Sequence, residues 1–168
     1  MAVEFVAWPK IPRVENRKEF YTEKIDGTNA CIIITEDGDF GCQSRSRIIT
    51  PEDDNFGFAR WAYENKEELM KLGPGHHFGE WWGAGIQRGY DLTEKRFSLF
   101  NTKLWGPHNP NTPACVHVVP TIHVNSVENA KQYLIDNGSL AAPGFMAVEG
   151  VVVYEYQTNT YWKAIINK

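Results

Sequence analysis

Glu23-Lys24-Ile25-Asp26-Gly27-Thr28-Asn29 is the stretch on which the architecture turns. Residues 21–23 before it and 30–36 after it are strand-like, so an extended segment enters Lys24, turns at Gly27 and leaves extended. One lysine therefore stands at the end of a rigid element, beside a glycine that lets backbone approach a ligand closely. With an ordinary pKa of about 10.4, only about one lysine amine in 2,500 is neutral at pH 7. Burial or neighbouring cations must depress that value before the amine can attack anything. By itself Lys-x-Asp-Gly is a weak signal, expected by chance in about a few per cent of chains this long. It equally describes a solvated surface turn, and its companions must decide.

Working outward, residues 30–36 and 39–44 flank Asp37-Gly38, the signature of a hairpin. Residues 56–72 carry Phe58, Trp61, Ala62, Leu69 and Leu72 on a helical period, ended by Gly73-Pro74. Strands follow over about 77–82, 96–104 and 116–124, the last two separated by the Pro/Asn-rich loop 106–113. Ser126 is a good N-cap and Gly138 a good stop for a helix reaching about Asn137. Residues 145–154 and 160–166 form a second hairpin. The pattern predicts an α+β protein with mostly antiparallel sheets and two or three flanking helices.

A chain of 168 residues has room for one domain, taken here as residues 1–168. Aromatic residues reach 13%, with six Trp, enough both to fill a core and to offer stacking surfaces for bases. There is no apolar run of transmembrane length and no signal-peptide layout at the N-terminus, so a cytoplasmic, membrane-free location is expected. Cys31, Cys42 and Cys115 have no metal-ligand spacing, and their odd count argues against a disulfide framework. The five histidines, including His76-His77 and the pair His117 and His123, lack zinc-like spacing with a third ligand. A net charge of −4 argues mildly against nucleic acid as a partner, although a local basic groove can sit on an acidic protein.

Read with its companions, Glu23-Lys24-Ile25-Asp26-Gly27-Thr28-Asn29 resembles motif I of the covalent nucleotidyltransferases: DNA ligases, RNA ligases and capping enzymes. Its EK-x-x-GTN form is similar to the phage RNA ligase 2 and RNA-editing ligase family. Cys42-Gln43-Ser44-Arg45 with Asp54-Asn55-Phe56-Gly57-Phe58 resembles that family's motif Ia. Phe78-Gly79-Glu80-Trp81-Trp82-Gly83-Ala84-Gly85-Ile86-Gln87 is close to motif III, and Phe97-Ser98-Leu99-Phe100-Asn101 to motif IIIa. Val148-Glu149-Gly150-Val151-Val152-Val153 resembles motif IV, and Tyr161-Trp162-Lys163 stands where motif V belongs. Six ordered blocks cover almost the whole chain, which chance does not produce. The fold implied is the ATP-grasp-like nucleotidyltransferase core of polynucleotide ligases.

The resemblance implies an ATP-dependent RNA ligase with Mg2+ (or Mn2+) as its metal and RNA or DNA ends or nicks as partners. Lys24 would attack the α-phosphorus of ATP to form a lysyl-adenylate. Glu23 and the adjoining backbone at Ile25 would lie against the adenine, Phe100 would stack on it, and Glu80 would accept from the ribose hydroxyl. Asn29 would orient the attacked phosphate or the nucleic-acid end. Arg45 would contact the ribose or a 5′-phosphate through a planar fork suited to oxyanions. Glu149 would hold the metal and Lys163 would neutralise α-phosphate charge. Phe97 competes with Phe100, and Arg47 with Arg45, two residues along the same strand face. Asp26 stands where the ligase 2 branch often has His.

Two departures matter. Motif V of this family usually has two lysines separated by one residue, whereas here Tyr161 and Ile165 flank a single Lys163. The sequence also ends five residues after Lys163, with no OB domain and no helical C-terminal domain. An accessory protein or domain is then expected to supply nucleic-acid binding. A compact ligase core of this kind suits RNA repair in a bacterial or phage-infected cell. The alternatives are a DNA ligase of the same superfamily and a non-catalytic module that binds nucleotides or nucleic-acid ends.

Overall fold

The computed structural model describes residues 3–9, 11, 13, 18–156 and 158–168. A four-stranded sheet has the order β10 (Thr160–Ile165), β9 (Gly150–Glu155), β1 (Glu19–Lys24) and β8 (Thr121–Ile122). A six-stranded sheet has the order β4 (Ile48–Ile49), β3 (Phe40–Gln43), β2 (Thr28–Ile34), β5 (Gly75–Gly83), β6 (Lys95–Leu99) and β7 (His117–Val118). Every pairing is antiparallel except β6 with β7. The expected α+β class with mostly antiparallel sheets is what the chain forms.

Each sheet is covered on one face. Alternate residues of the large sheet, Ala30, Ile32, Trp81, Phe97 and Leu99, bury against Phe58 and Ala62 of α1 (Phe58–Glu64) and Leu69 of α2 (Lys66–Leu69). On the small sheet Tyr21, Val151 and Val153 bury against Ala130 and Leu134 of α3 (Val127–Asn137). Each such fully buried large side chain contributes about 1.5–3 kcal/mol. A third cluster, Ile25, Trp82, Tyr90, Val119 and Ala142, joins the two sheets. Trp82 points to the face opposite Trp81 because side chains alternate along a strand. The large sheet therefore meets the rest of the molecule on the face that α1 and α2 leave uncovered.

The hairpin turn and the α3 ends form as expected. Gly38 has φ 87°, Ser126 Oγ accepts from the Asn129 amide at 3.1 Å, and Gly138 has φ 77°. The helix expected over 56–72 breaks at Asn65, whose Nδ2 donates to the Trp61 carbonyl and whose backbone (φ −109°, ψ 17°) separates α1 from α2. A side-chain amide competing for backbone carbonyls ends the first helix. The strand expected over 116–124 is two short strands in different sheets. The Val119 amide donates to Leu99 of the large sheet, while the Pro120 carbonyl accepts from Glu23 of the small one. Pro120 has no N–H with which to continue the first ladder. The strand expected over 96–104 stops at Leu99, where the Thr102 and Trp105 amides fold back onto Phe100 and Asn101. The second hairpin begins at Gly150 rather than at residue 145.

Candidate active site

Lys24 is the last residue of β1 and Thr28 the first of β2, so Ile25-Asp26-Gly27 carries the chain from the small sheet to the large one. Ile25 anchors this passage by burying its side chain in the inter-sheet cluster. Gly27 has no room for a side chain: a Cβ there would strike the Trp81 carbonyl oxygen and lie 2.7 Å from Trp82 Cβ. The passage is thus pressed against β5, and the Gly27 amide donates to Glu80 Oε2 at 2.9 Å.

Lys24 Nζ forms an ion pair with Glu149 Oε2 at 2.8 Å, the two side chains being 27% and 17% exposed. Glu149 immediately precedes β9, and its carbonyl accepts from the Ile166 and Asn167 amides just beyond β10. Glu80 stands opposite Asn29 in the β2–β5 pairing, so both side chains share the face turned away from α1. Burial pushes the Glu80 carboxyl up to about 7, with Glu149 and Asp26 adding to the rise and the Gly27 amide and Lys24 opposing it. Phe100 follows β6 on that same face by alternation and is 45% exposed, whereas its competitor Phe97 is in the helix-covered core.

Glu23 points the other way. It is buried, and its carboxylate accepts from Ser139 Oγ (2.7 Å) and from the Leu140 (2.8 Å) and Ala141 (3.0 Å) amides. Burial raises its pKa, and these three donors work against the rise. Its side chain thus braces β1 against the 139–141 loop. Arg47 is committed to Asp53 and to the Asp53 and Asp54 carbonyls. Arg45 is exposed in the β3–β4 bend, with no side-chain hydrogen bond or ion pair among the described residues.

The β1, β9 and β10 registers define three rungs on one face: Lys24–Gly150–Ile165, then Thr22–Val152–Lys163, then Phe20–Tyr154–Tyr161. Lys163 is exposed and shares a face with Lys24. On Lys24's own rung, however, the β10 residue is Ile165. Two strand spacings and one rung put Lys163 Cα about 12 Å from Lys24 Cα.

Two residues outside the motif blocks hold the passage in place. Arg88 Nε donates to Asp26 Oδ2 at 2.8 Å, Nη1 to the Ala147 carbonyl at 2.6 Å and Nη2 to the Asn167 carbonyl at 3.2 Å. One guanidinium thereby ties motif I, the approach to Glu149 and the end of the chain together. Tyr90 Oη accepts from the Asp26 amide at 2.7 Å, from a ring in the inter-sheet core. Tyr90 (φ 57°) and Asp91 (φ 58°) both adopt left-handed backbone, at a cost of about 1–3 kcal/mol each. No local pattern announces either contact. Only the chemistry of a phenol or guanidinium that needs a partner when buried points toward them.

The sequence model of the RNA ligase family matches residues 18–165. No curated protein matches the sequence. Among solved structures, a lysine-to-alanine variant of the Naegleria gruberi RNA ligase with ATP and Mn is similar at 23% identity and a TM-score of 0.60. That match covers 90% of this chain and 51% of the other. An arginine-to-alanine variant with ATP and Mn matches at 22% identity and TM-score 0.62, over 89% of this chain and 50% of that one. A glutamate-to-alanine variant with ATP and Mn gives 22% and 0.62, over 96% and 56%. The chain thus spans about half the length of these structures and shares the fold of their nucleotidyltransferase-type core. With that family match running from before β1 to the end of β10, the chain belongs to the RNA ligase family.

Proposed function

We propose that this chain is an ATP-dependent RNA ligase core that adenylylates itself on Lys24, passes AMP to a 5′-phosphate end and joins that end to a 3′-hydroxyl. The observation that carries this proposal is the Lys24–Glu149 pair at 2.8 Å, set where the chain passes between sheets. In the first step the Lys24 amine attacks the α-phosphorus of ATP. A P–N bond forms, the P–O bond to the β-phosphate breaks, and pyrophosphate leaves. Phe100 stacks on the adenine, backbone at Glu23 and Ile25 lies along it, and Glu80 accepts from the ribose. Asn29 and Arg45 orient the phosphate or the incoming 5′-phosphate, and Lys163 offsets charge on the α-phosphate.

The donor chemistry fits a hard divalent ion. Glu149 offers a partly exposed carboxylate beside the nucleophile, and such ions take one or two carboxylates with substrate phosphates completing the shell. Bound Mg2+ or Mn2+ would supply Lewis-acid neutralisation of phosphate charge at Glu149. The same carboxylate has a second task. It also meets the Lys24 amine at 2.8 Å and so holds that side chain at the end of β1.

Incubation with ATP and Mg2+, followed by intact-protein mass spectrometry, should add one adenylyl group to the wild type and none to Lys24→Ala. An adduct that survives in Lys24→Ala would refute the assignment. Sealing assays on nicked duplexes with RNA or DNA on either side of the nick would then separate an RNA ligase from a DNA ligase.

A further inference from the structure

The rung two steps from Lys24 is built of rings. Phe20, Tyr154 and Tyr161 stand side by side on β1, β9 and β10, and Tyr156 closes the group from just beyond β9. Tyr154 and Tyr161 have ring centroids 4.8 Å apart, and Phe20 and Tyr156 are 6.0 Å apart edge to face. Phe20 is 47% exposed, Tyr156 42% and Tyr161 68%. Lys103, from the loop after β6, sets its Nζ 3.8 Å from the Tyr156 ring centroid, so a cation of the large sheet meets this patch. Among their own residues the three rungs carry two lysines, Lys24 and Lys163, and no carboxylate, since Glu19, Glu23 and Glu155 project from the opposite face; Glu149, just before β9, is the carboxylate that meets Lys24.

A contiguous exposed aromatic patch on a sheet needs a partner. The hydroxyl of Tyr154 donates to Asn159 Oδ1, but Phe20 has no polar handle, so solvation does not explain it. Rings interleaved with cations match one chemistry closely: unstacked bases on a phosphate backbone. A base-paired duplex does not fit, because its bases are already stacked on one another. A second copy of this chain fits poorly as well, since a two-fold contact pairs this face with itself, and the face would bring Lys103 and Lys163 no carboxylate beyond Glu149, which Lys24 already holds.

We propose that Phe20, Tyr154, Tyr156 and Tyr161, with Lys103 and Lys163, form a stacking surface for single-stranded nucleic acid, taking bases a few nucleotides from the end presented to Lys24. This rests on the reading of the chain as a ligase of nucleic-acid ends. The rungs give the strand a direction, because the aromatic row lies about 14 Å along β1 from the nucleophile. The large sheet would then hold the nucleotide and the small sheet would hold the strand.

The test measures fluorescence-anisotropy binding of a labelled 5′-phosphorylated oligouridine and an abasic strand of equal length. Wild type is compared with Tyr161→Thr, Phe20→Thr and Tyr161→Trp, each checked for an unchanged melting curve. We expect each Thr variant to weaken oligouridine binding at least ~5-fold, the scale of one lost base–aromatic stack. Abasic binding should stay within about twofold, and Tyr161→Trp should bind like wild type. Equal losses on both strands, or no loss in either Thr variant, would overturn the proposal. So would a Tyr161→Thr effect confined to oligomeric state in sedimentation. Adenylylation of Lys24, followed by mass on the same samples, is a separate readout. A protein that gains the adenylyl mass yet ignores bases refutes the surface and keeps the ligase reading. One that never gains it, yet loses base-dependent binding in both Thr variants, does the reverse.

Discussion

Lys24 and Glu149 lie 125 residues apart in the chain and 2.8 Å apart in space, joined by an ion pair at the end of β1. The carboxylate that meets this lysine is also the one proposed to hold the divalent ion, so a single side chain would serve both parts of the adenylylation site.

Glu149→Gln should therefore cut Lys24 adenylylation by about 100-fold or more, because the amide neither ligates a hard cation well nor offers the lysine a charged partner. Folding should change little, since the pair is partly solvated and such pairs contribute modestly, about 1 kcal/mol. Adduct formation by mass spectrometry, set beside a melting curve, separates the two effects. A variant that loses several kcal/mol of stability would make Glu149 a structural residue instead.

Glu80 predicts a pH dependence of stability. Its carboxyl titrates at about 7 in the folded chain against an ordinary 4.5. As pH rises between these values the unfolded chain has released its proton while the folded chain still holds it. Stability should accordingly fall with rising pH across that window, by about 3 kcal/mol in total. Glu80→Gln keeps an oxygen for the Gly27 amide and removes the titration. Chemical denaturation from pH 4.5 to 8 should show a shallower decline for the variant, and parallel curves would contradict the assignment.

Gly27 is where the chain passes closest to β5. Gly27→Ala would drive a methyl into the Trp81 carbonyl and toward Trp82 Cβ, neither of which can yield without moving the sheet. Overpacking of this kind costs about 1–3 kcal/mol, and it displaces the loop that positions Lys24. The melting temperature should fall, and adenylylation should drop more than stability alone explains. Wild-type adduct rates in this variant would show that the close approach is incidental.

Arg88 and Asp26 should behave as one unit. Arg88→Lys keeps the charge but cannot serve Asp26, Ala147 and Asn167 at once, because an ammonium lacks the planar fork. We expect a loss of about 1–3 kcal/mol, with Asp26→Asn and the double variant showing clear non-additivity in denaturation. Strict additivity would mean that the two residues act separately.

Much of the fold was legible in local pattern. The Asp37-Gly38 hairpin, the Ser126 cap and the Gly138 stop each rest on residues adjacent in the chain, where short-range backbone preferences decide. The breaks were not. Asn65 interrupts an otherwise periodic helix through its own side chain, and the switch at Val119-Pro120 depends on two sheets competing for one segment. Phe97 and Phe100 have similar sequence settings, and only the helices over one face of the large sheet make one of them core and leave the other half exposed.

The candidate site divides along the same line. The sequence alone named the proposed cast, Lys24, Glu80, Phe100, Glu149 and Lys163, through its resemblance to a family's ordered motifs, because motif order is a one-dimensional property. Tertiary structure decided who meets whom: Glu149 on Lys24, Arg88 on Asp26, Ser139 on Glu23, Arg47 turned aside to Asp53 while Arg45 stays exposed. It also put Ile165, not Lys163, on the Lys24 rung and gathered the four rings beyond it. Those contacts join strands far apart in the chain, and strand register, set by which faces bury apolar area, determines which side chains can touch.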